Sequence, residues 1–408
     1  MANSRAESLW LVLPAAQRAS GEWIDETLAA RLREQSLLMK APLAADFPRV
    51  RVEVIRGPNA WGRANELFYL RGWTDGLPII PPEAGRVEQM VDRAGLPRDQ
   101  IVAELDPLRG VATVEKIAVN AVMAGCLPEH ISILIALTEA IATPEFNLRG
   151  VQTTDENVTP LLIFSGDLAK RLNVNSGFGA LGSGWQANAV IGRALRLIMQ
   201  NIGGGWPAAV SLAGLGQPGR YSLCFAEATA LNPWEPLHVE LGYEASDSTV
   251  TLIRAESLIS TTGGLEEIAS VMGSAASQFS LMHGGKVTVV MAPYIARRLA
   301  GEGWSKRDVK RWLHERGRMA TAQWERSWGR QTLVSHQWPR WVMDSATSGA
   351  IPVVEEPDDI TLVIAGGDLH IPQNAYLPTW GFPPCRITLR LDALIADSVA
   401  EGKTRNGI

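Results

Sequence analysis

Apolar residues recur at helical spacing through Val114, Ile117, Ala118, Ala121 and Val122, and Thr113 just ahead of them offers an N-cap oxygen. The pattern predicts an amphipathic helix that stops at Gly125. Pro128 suits the first turn of a second helix, in which Ile131, Ile133, Leu134, Leu137 and Ile141 leave almost no polar face. The same periodicity predicts helices over 59–70, 83–94 and 187–201. Shorter apolar runs predict strands over 100–105, 150–154, 161–165, 220–227, 249–255 and 360–365, and 237–241 also reads as a strand. Residues 1–60 read strand (9–13), helix (24–38), strand (50–55), a βαβ-like segment. Ser305 and Asp308 have capping-box spacing, with Trp304 and Val309 placed as a hydrophobic staple.

A weak repeat runs through the chain. Pro160 to Leu172 resembles Lys286 to Leu299, each reading as a buried strand, a small-residue turn and a helix ending in a basic pair and Leu. Val114-Glu-Lys-Ile-Ala118 and Leu265-Glu-Glu-Ile-Ala269 precede them, and Gly366-Gly367-Asp368 echoes Ser165-Gly166-Asp167. The fold class expected is α/β, made of several strand–turn–helix units. Duplication about a pseudo-twofold axis explains the repeat; the general likeness of strand–turn–helix segments explains it equally. The segments expected are 1–60, 61–245 with Cys126 and a Gly-rich loop, and 246–408 with a Trp-rich insertion.

Composition changes this picture little. The 408 residues are 46% hydrophobic and 20% charged with a formal charge of -5, and no Lys- or Arg-rich face points to nucleic acid. No apolar run approaches the ~20 residues of a membrane span. The stretch from Leu9 to Ala16 after Arg5 is too short an apolar core for a signal peptide. Three scattered cysteines, Cys126, Cys224 and Cys385, make neither a disulfide framework nor a Cys-rich zinc site, which fits a reducing cytoplasm. Fourteen tryptophans and a mean hydropathy of +0.02 predict a homodimer or larger. The indoles among the arginines of 319–343 predict packing, an interface or a ligand cover.

Candidate chemistry centres on Cys126, which precedes the free N–H groups of the second helix, with His130 within one turn. Cys126 is expected to be more reactive than Cys224 or Cys385. Glu115 lies on the adjoining helix, and Lys116 and Asn120 share one of its faces. A second candidate is the loop Asn175-Ser176-Gly177-Phe178-Gly179-Ala180-Leu181-Gly182-Ser183-Gly184. It carries G-x-G-x-x-G but lacks the strand before it and the acidic residue after it that a dinucleotide site needs, so an anion is the expected occupant. Arg193 lies on the helix that follows. A third cluster is Glu227, Glu235, His238 and Glu240. On a strand, His238 and Glu240 would share a face and suit an acid–base pair or, with His130, a metal. Asp368, His370, Gln373 and Asn374 make a further polar loop. Thr74 and Asp75, within Gly72–Pro82, either line a pocket or belong to a rigid connector. No P-loop or G-x-S-x-G elbow occurs, and no cofactor is indicated.

Three runs carry a resemblance: Gly72-Trp-Thr-Asp-Gly-Leu-Pro-Ile-Ile-Pro-Pro82, Ala112-Thr-Val-Glu-Lys-Ile-Ala-Val-Asn-Ala-Val-Met-Ala-Gly-Cys126 and Pro233-Trp-Glu-Pro-Leu-His238. Over roughly residues 65–375 the chain resembles bacterial proteins of the UGSC-motif (seleno)protein group. The resemblance implies thiol redox chemistry, which only Cys126 is placed to inherit; no Cys-Gly-Ser-Cys run occurs. The function expected is an enzyme acting on a small anionic molecule. Cys126 would be nucleophile or redox thiol, His238, Glu115 or Lys116 acid–base groups, and Asp75, Asn120 and the glycine loop ligand contacts. The alternatives are a metal-dependent lyase or hydratase using His238 and Glu240, and a non-catalytic ligand-binding or assembly subunit.

Overall fold

The helix pair around Gly125 forms for the reasons its sequence contains. Thr113 Oγ1 accepts the Lys116 N–H at 3.3 Å and opens helix Val114–Ala124, in which every residue except Glu115 and Lys116 is buried. Gly125 ends it at φ 91°, a left-handed conformation that costs glycine no Cβ clash. A 3₁₀ turn at Pro128–His130 then leads into helix Ile131–Ile141. At about 1.5–3 kcal/mol for each large apolar side chain removed from water, this pair supplies much of the local core.

The computed structural model of the chain describes residues 8–12, 52–56 and 58–391. Two compact units alternate along the sequence. The first contains the described residues up to Glu156 together with Val190–Ser222, and the second contains Asn157–Ala189 and the described residues from Leu223 onward.

In the first unit, strands β1 (Ser8–Val12) and β2 (Val52–Arg56) pair antiparallel, with Ser8 opposite Arg56 and Val12 opposite Val52. That corrects the βαβ-like expectation, which requires parallel strands; the helix expected over 24–38 lies outside the described residues. Helices Ala60–Leu70 and Ala84–Ala94 follow, then the hairpin of β3 (Ile101–Leu105) and β4 (Gly110–Thr113). The strand expected over 150–154 is instead helix Leu148–Thr153. Asn147 caps it by accepting the Gly150 N–H at 3.1 Å, and Leu148, Val151 and Gln152 are buried at helical rather than alternating spacing. Most of the long helix Gln186–Asn201 also belongs to this unit.

The second unit holds two four-stranded sheets with one pairing pattern. In the first, β5 (Thr159–Ser165) runs parallel to β6 (Cys224–Ala226) and antiparallel to β7 (Thr249–Ala255). In the second, which begins with β8 (Ile259–Thr262), β9 (Val287–Met291) takes the place of β5. A separate pair, β10 (Arg318–Ala320) and β11 (Ala350–Pro352), intervenes along the chain. Strand β9 runs parallel to β12 (Ile360–Ile364) and antiparallel to β13 (Gln373–Leu377). The edge strands cross over: β14 (Arg386–Arg390), which follows β13, pairs with β7, and β8, which follows β7, pairs with β13. Both copies of the sequence repeat fold as strand, turn and helix, the helices being Asp167–Arg171 and Pro293–Gly301. Their strands are buried throughout, as strands covered on both faces must be.

Two expectations change here. The strand over 220–227 shortens to β6, because Pro218–Arg220 is a 3₁₀ turn. The strand over 237–241 is a helical turn, Leu237–Glu240, entered from Pro236, so His238 and Glu240 do not share a strand face. Ser305 and Asp308 form the capping box. In the Trp-rich segment, Trp324 and Trp338 are buried with their rings edge-on at 5.2 Å, and the Arg330 guanidinium lies 4.8 Å from the Trp324 ring. Among the described residues no helix is long and apolar enough to cross a membrane.

Candidate functional site

In the first unit, the loop that follows Gly72 is pinned by side chains of helix Gln186–Asn201. Arg193 holds Asp75 with two bonds, Nε to Oδ2 at 2.7 Å and Nη2 to Oδ1 at 2.8 Å, and also donates to the Pro78 carbonyl at 2.9 Å. Gln200 donates to the Gly72 and Thr74 carbonyls at 3.2 and 2.9 Å. Asn201 donates to the Trp73 carbonyl at 3.0 Å and to Asn120 Oδ1 at 2.7 Å, and the Trp206 indole donates to the Gly72 carbonyl at 3.1 Å. The loop has no regular ladder to satisfy its carbonyls, and these side chains do so instead. A rigid wall results.

That wall, the Arg196–Gln200 turn of the helix and residues from 206 to 221 bound a cavity of about 790 Å³. Three guanidinium groups line it: Arg71, Arg196 and Arg220. Arg196 Nε donates to the Arg220 carbonyl at 3.2 Å and Nη1 approaches Met199 Sδ at 3.7 Å. Nη2 makes no hydrogen bond to a described residue, and among the described residues no carboxylate pairs with Arg196. Burial first, and then repulsion from the Arg220 cation, pull the Arg196 pKa down to about 9, with Asp75 opposing the shift. Arg220 donates to Ser211 Oγ at 2.9 Å, and the Arg71 guanidinium lies 5.0 Å from the Trp73 ring. Among the described residues the only acidic side chain on the wall, Asp75, is already neutralised by Arg193. The chemistry this arrangement offers is recognition of negative charge.

The sequence-predicted residues of the first unit take other roles. Cys126 is 8% exposed and its Sγ donates to the Val190 carbonyl at 3.3 Å. His130 Nδ1 accepts the Leu127 N–H at 3.2 Å rather than meeting the thiol, and burial lowers its pKa. Glu115 pairs with Arg98 at 3.2 Å, Lys116 Nζ donates to the Val111 carbonyl at 2.8 Å, and Asn120 donates to the Lys116 carbonyl at 2.9 Å. None of these five lines the cavity; Asp75 and Thr74 do.

In the second unit, the glycine loop is held by its own asparagine. Asn175 Oδ1 accepts the Gly177 N–H at 2.9 Å and its Nδ2 donates to the Phe178 carbonyl at 2.7 Å. Asn188 clamps the turn by accepting the Asn175 N–H at 2.7 Å and donating to the Ala180 carbonyl at 3.1 Å. The Ser176 carbonyl accepts the Gly366 N–H at 2.8 Å. Gly179 has φ 71°, which its turn requires, and Gly182 N–H donates to the Gly179 carbonyl at 2.9 Å.

The third cluster gathers at the carboxyl ends of β5 and β6, where α/β folds build sites. Glu227 Oε2 accepts Ser165 Oγ at 2.8 Å and the Leu237 N–H at 2.9 Å, and Oε1 accepts Asn232 Nδ2 at 3.0 Å. Burial raises its pKa, opposed by the Lys306 charge and these bonds. His238 is 1% exposed, and neither ring nitrogen has a hydrogen-bond partner among the described residues. Glu240 is claimed by Lys306 and Lys310, each at 2.6 Å, and this lowers its pKa against the opposing effect of burial. A carboxylate so engaged is not free to share a cation with His238. Among the described residues no group of three or more His, Cys, Asp or Glu is placed to hold a metal.

The sequence pointed to Arg193 but not to Arg196, Gln200, Arg71 or Arg220. Arg196 and Gln200 had a signal: with Arg193 they form a polar stripe at i, i+3 and i+7 among the apolar residues of the helix. Arg220, beyond a loop, had none. No family model matches this chain and no curated protein matches it, so its chemistry is read from these residues.

Proposed function

We propose that the first unit binds a small organic anion in the cavity lined by Arg71, Arg196 and Arg220, and that this anion is the molecule the protein acts on. The observation that carries the reading is Arg196, a partly buried cation on the cavity wall that donates to the Arg220 carbonyl and has no carboxylate partner among the described residues. A partly desolvated charge is costly unless a counter-charge meets it, and a bound carboxylate or phosphate supplies one. Thiol chemistry by Cys126 on such an anion has less support, because a carbonyl accepts the Sγ hydrogen and accommodates the protonated sulfur. Self-association belongs to the same reading, and static light scattering that returned only the 44.2 kDa chain would count against it.

The test is thermal shift and calorimetry with carboxylates and phosphates at constant ionic strength. A specific anion at 100 times its Kd stabilises the fold by about 2.7 kcal/mol. The Arg196→Met variant should lose that response while keeping its fold. Equal anion stabilisation of the variant overturns the reading.

A further inference from the structure

The cavity is far larger than an inorganic anion, and part of its polar lining is already engaged within the protein. A phosphate or acetate displaces two or three waters, roughly 60–90 Å³ at the liquid volume of water, against the 790 Å³ available. Several of the polar side chains that face the space are engaged within the protein. Asp75 is held by Arg193, the Gln200 amide donates to two carbonyls, Thr74 Oγ1 accepts the Gly76 N–H at 3.1 Å, and Ser211 Oγ accepts from Arg220. A sugar phosphate or nucleotide would bring hydroxyl and amide groups that need partners, and this wall leaves few for them.

Much of the remaining wall is ring and aliphatic surface. Trp206 is 5% exposed and anchored through its indole N–H, and Tyr69, Tyr221, Pro207 and Pro218 add rings with little rotamer freedom to lose. Such surfaces stack on planar groups at low entropic cost. We infer that the ligand is an aromatic carboxylate, its carboxyl group on the Arg196 and Arg220 guanidiniums and its ring body against the Trp206 and tyrosine wall. This rests on the anion-binding reading above and adds the class of molecule to it.

Calorimetry on the full chain with four probes separates the two: 2-naphthoate, its neutral counterpart 2-naphthylmethanol, octanoate, and acetate. The expected result is that 2-naphthoate binds at least tenfold tighter than octanoate or 2-naphthylmethanol and at least a hundredfold tighter than acetate. Arg196→Met should cost 2-naphthoate at least tenfold and leave 2-naphthylmethanol unchanged. Tyr221→Ala, at a half-exposed position that keeps the fold intact, should weaken 2-naphthoate several-fold. Acetate matching 2-naphthoate would overturn the aromatic body and leave the anion site standing, and octanoate matching it would do the same. Equal binding of 2-naphthylmethanol with no effect of Arg196→Met, or no binding of any probe, would overturn both.

Discussion

Replacing Arg196 by Met should raise the stability of the ligand-free protein while removing its response to anions. A pKa drawn from the ordinary guanidinium range down to about 9 corresponds to ~5 kcal/mol of unfavourable charge burial at 1.36 kcal/mol per unit. Water in the cavity screens most of that, leaving about 1–2 kcal/mol. Against it stands the hydrogen bond to the Arg220 carbonyl, 3.2 Å long, whose loss costs about 1 kcal/mol. Methionine keeps much of the stem volume, so packing changes little. The balance is a gain of about 0.5 kcal/mol, read as 1–2 °C in a thermal melt. The sign can be checked against pH. A cation with a depressed folded pKa carries its full penalty below that value, and sheds the penalty as pH rises from about 9 toward the ordinary guanidinium range. The advantage of the variant should therefore shrink above pH 9. A loss of more than about 2 kcal/mol on substitution would refute the reasoning, because it would make Arg196 a structural strut rather than a charge held for a ligand.

Asp75→Asn breaks the ion pair with Arg193, whose side chains are 10% and 14% exposed, and should cost about 2–3 kcal/mol in urea denaturation because the guanidinium is left uncompensated. Burial holds the His283 pKa at about 3, well below the unfolded value, with His336 and Arg254 adding to the shift; stability should be full above pH 6.5 and fall as pH drops toward 3, and His283→Phe should flatten that acid limb. Gly166→Ala places a Cβ against the Asp247 carbonyl at φ 92°, so a loss of about 2–4 kcal/mol is expected in the same melts, and an unchanged midpoint would show that the turn can relax. Burial pushes the Cys224 thiol well above its ordinary range, so iodoacetamide near neutral pH should alkylate Cys224 more slowly than Cys126, as read by mass spectrometry of the native protein.

The sequence by itself determined the elements whose causes lie within a turn or two. Thr113 as a cap, Gly125 as a stop, Pro128 at a helix start and the Ser305–Asp308 box act over three or four residues, so they read directly. The strand at Thr249–Ala255 also read directly, because its Thr, Val and Ile residues favour extended backbone and every position is buried. Short segments did not read this way. Leu148–Thr153 and Leu237–Glu240 have strand-like lettering, yet one is closed into a helix by the Asn147 cap and the other is entered from a Pro236 turn whose first N–H is held by Glu227. Only the tertiary structure decided that β1 and β2 run antiparallel and that the edge strands cross between sheets, since pairing direction leaves no mark on either strand alone. The candidate site divides in the same way. The sequence left Thr74 and Asp75 as either pocket-lining or part of a rigid connector, and the structure puts them on the cavity wall. That Asp75 is spent on Arg193, 118 residues away, and that Arg196 meets Arg220 instead of a carboxylate, were not legible there. Charge pairing and desolvation depend on which groups the fold brings within a few ångströms, and spacing along the chain carries no record of that.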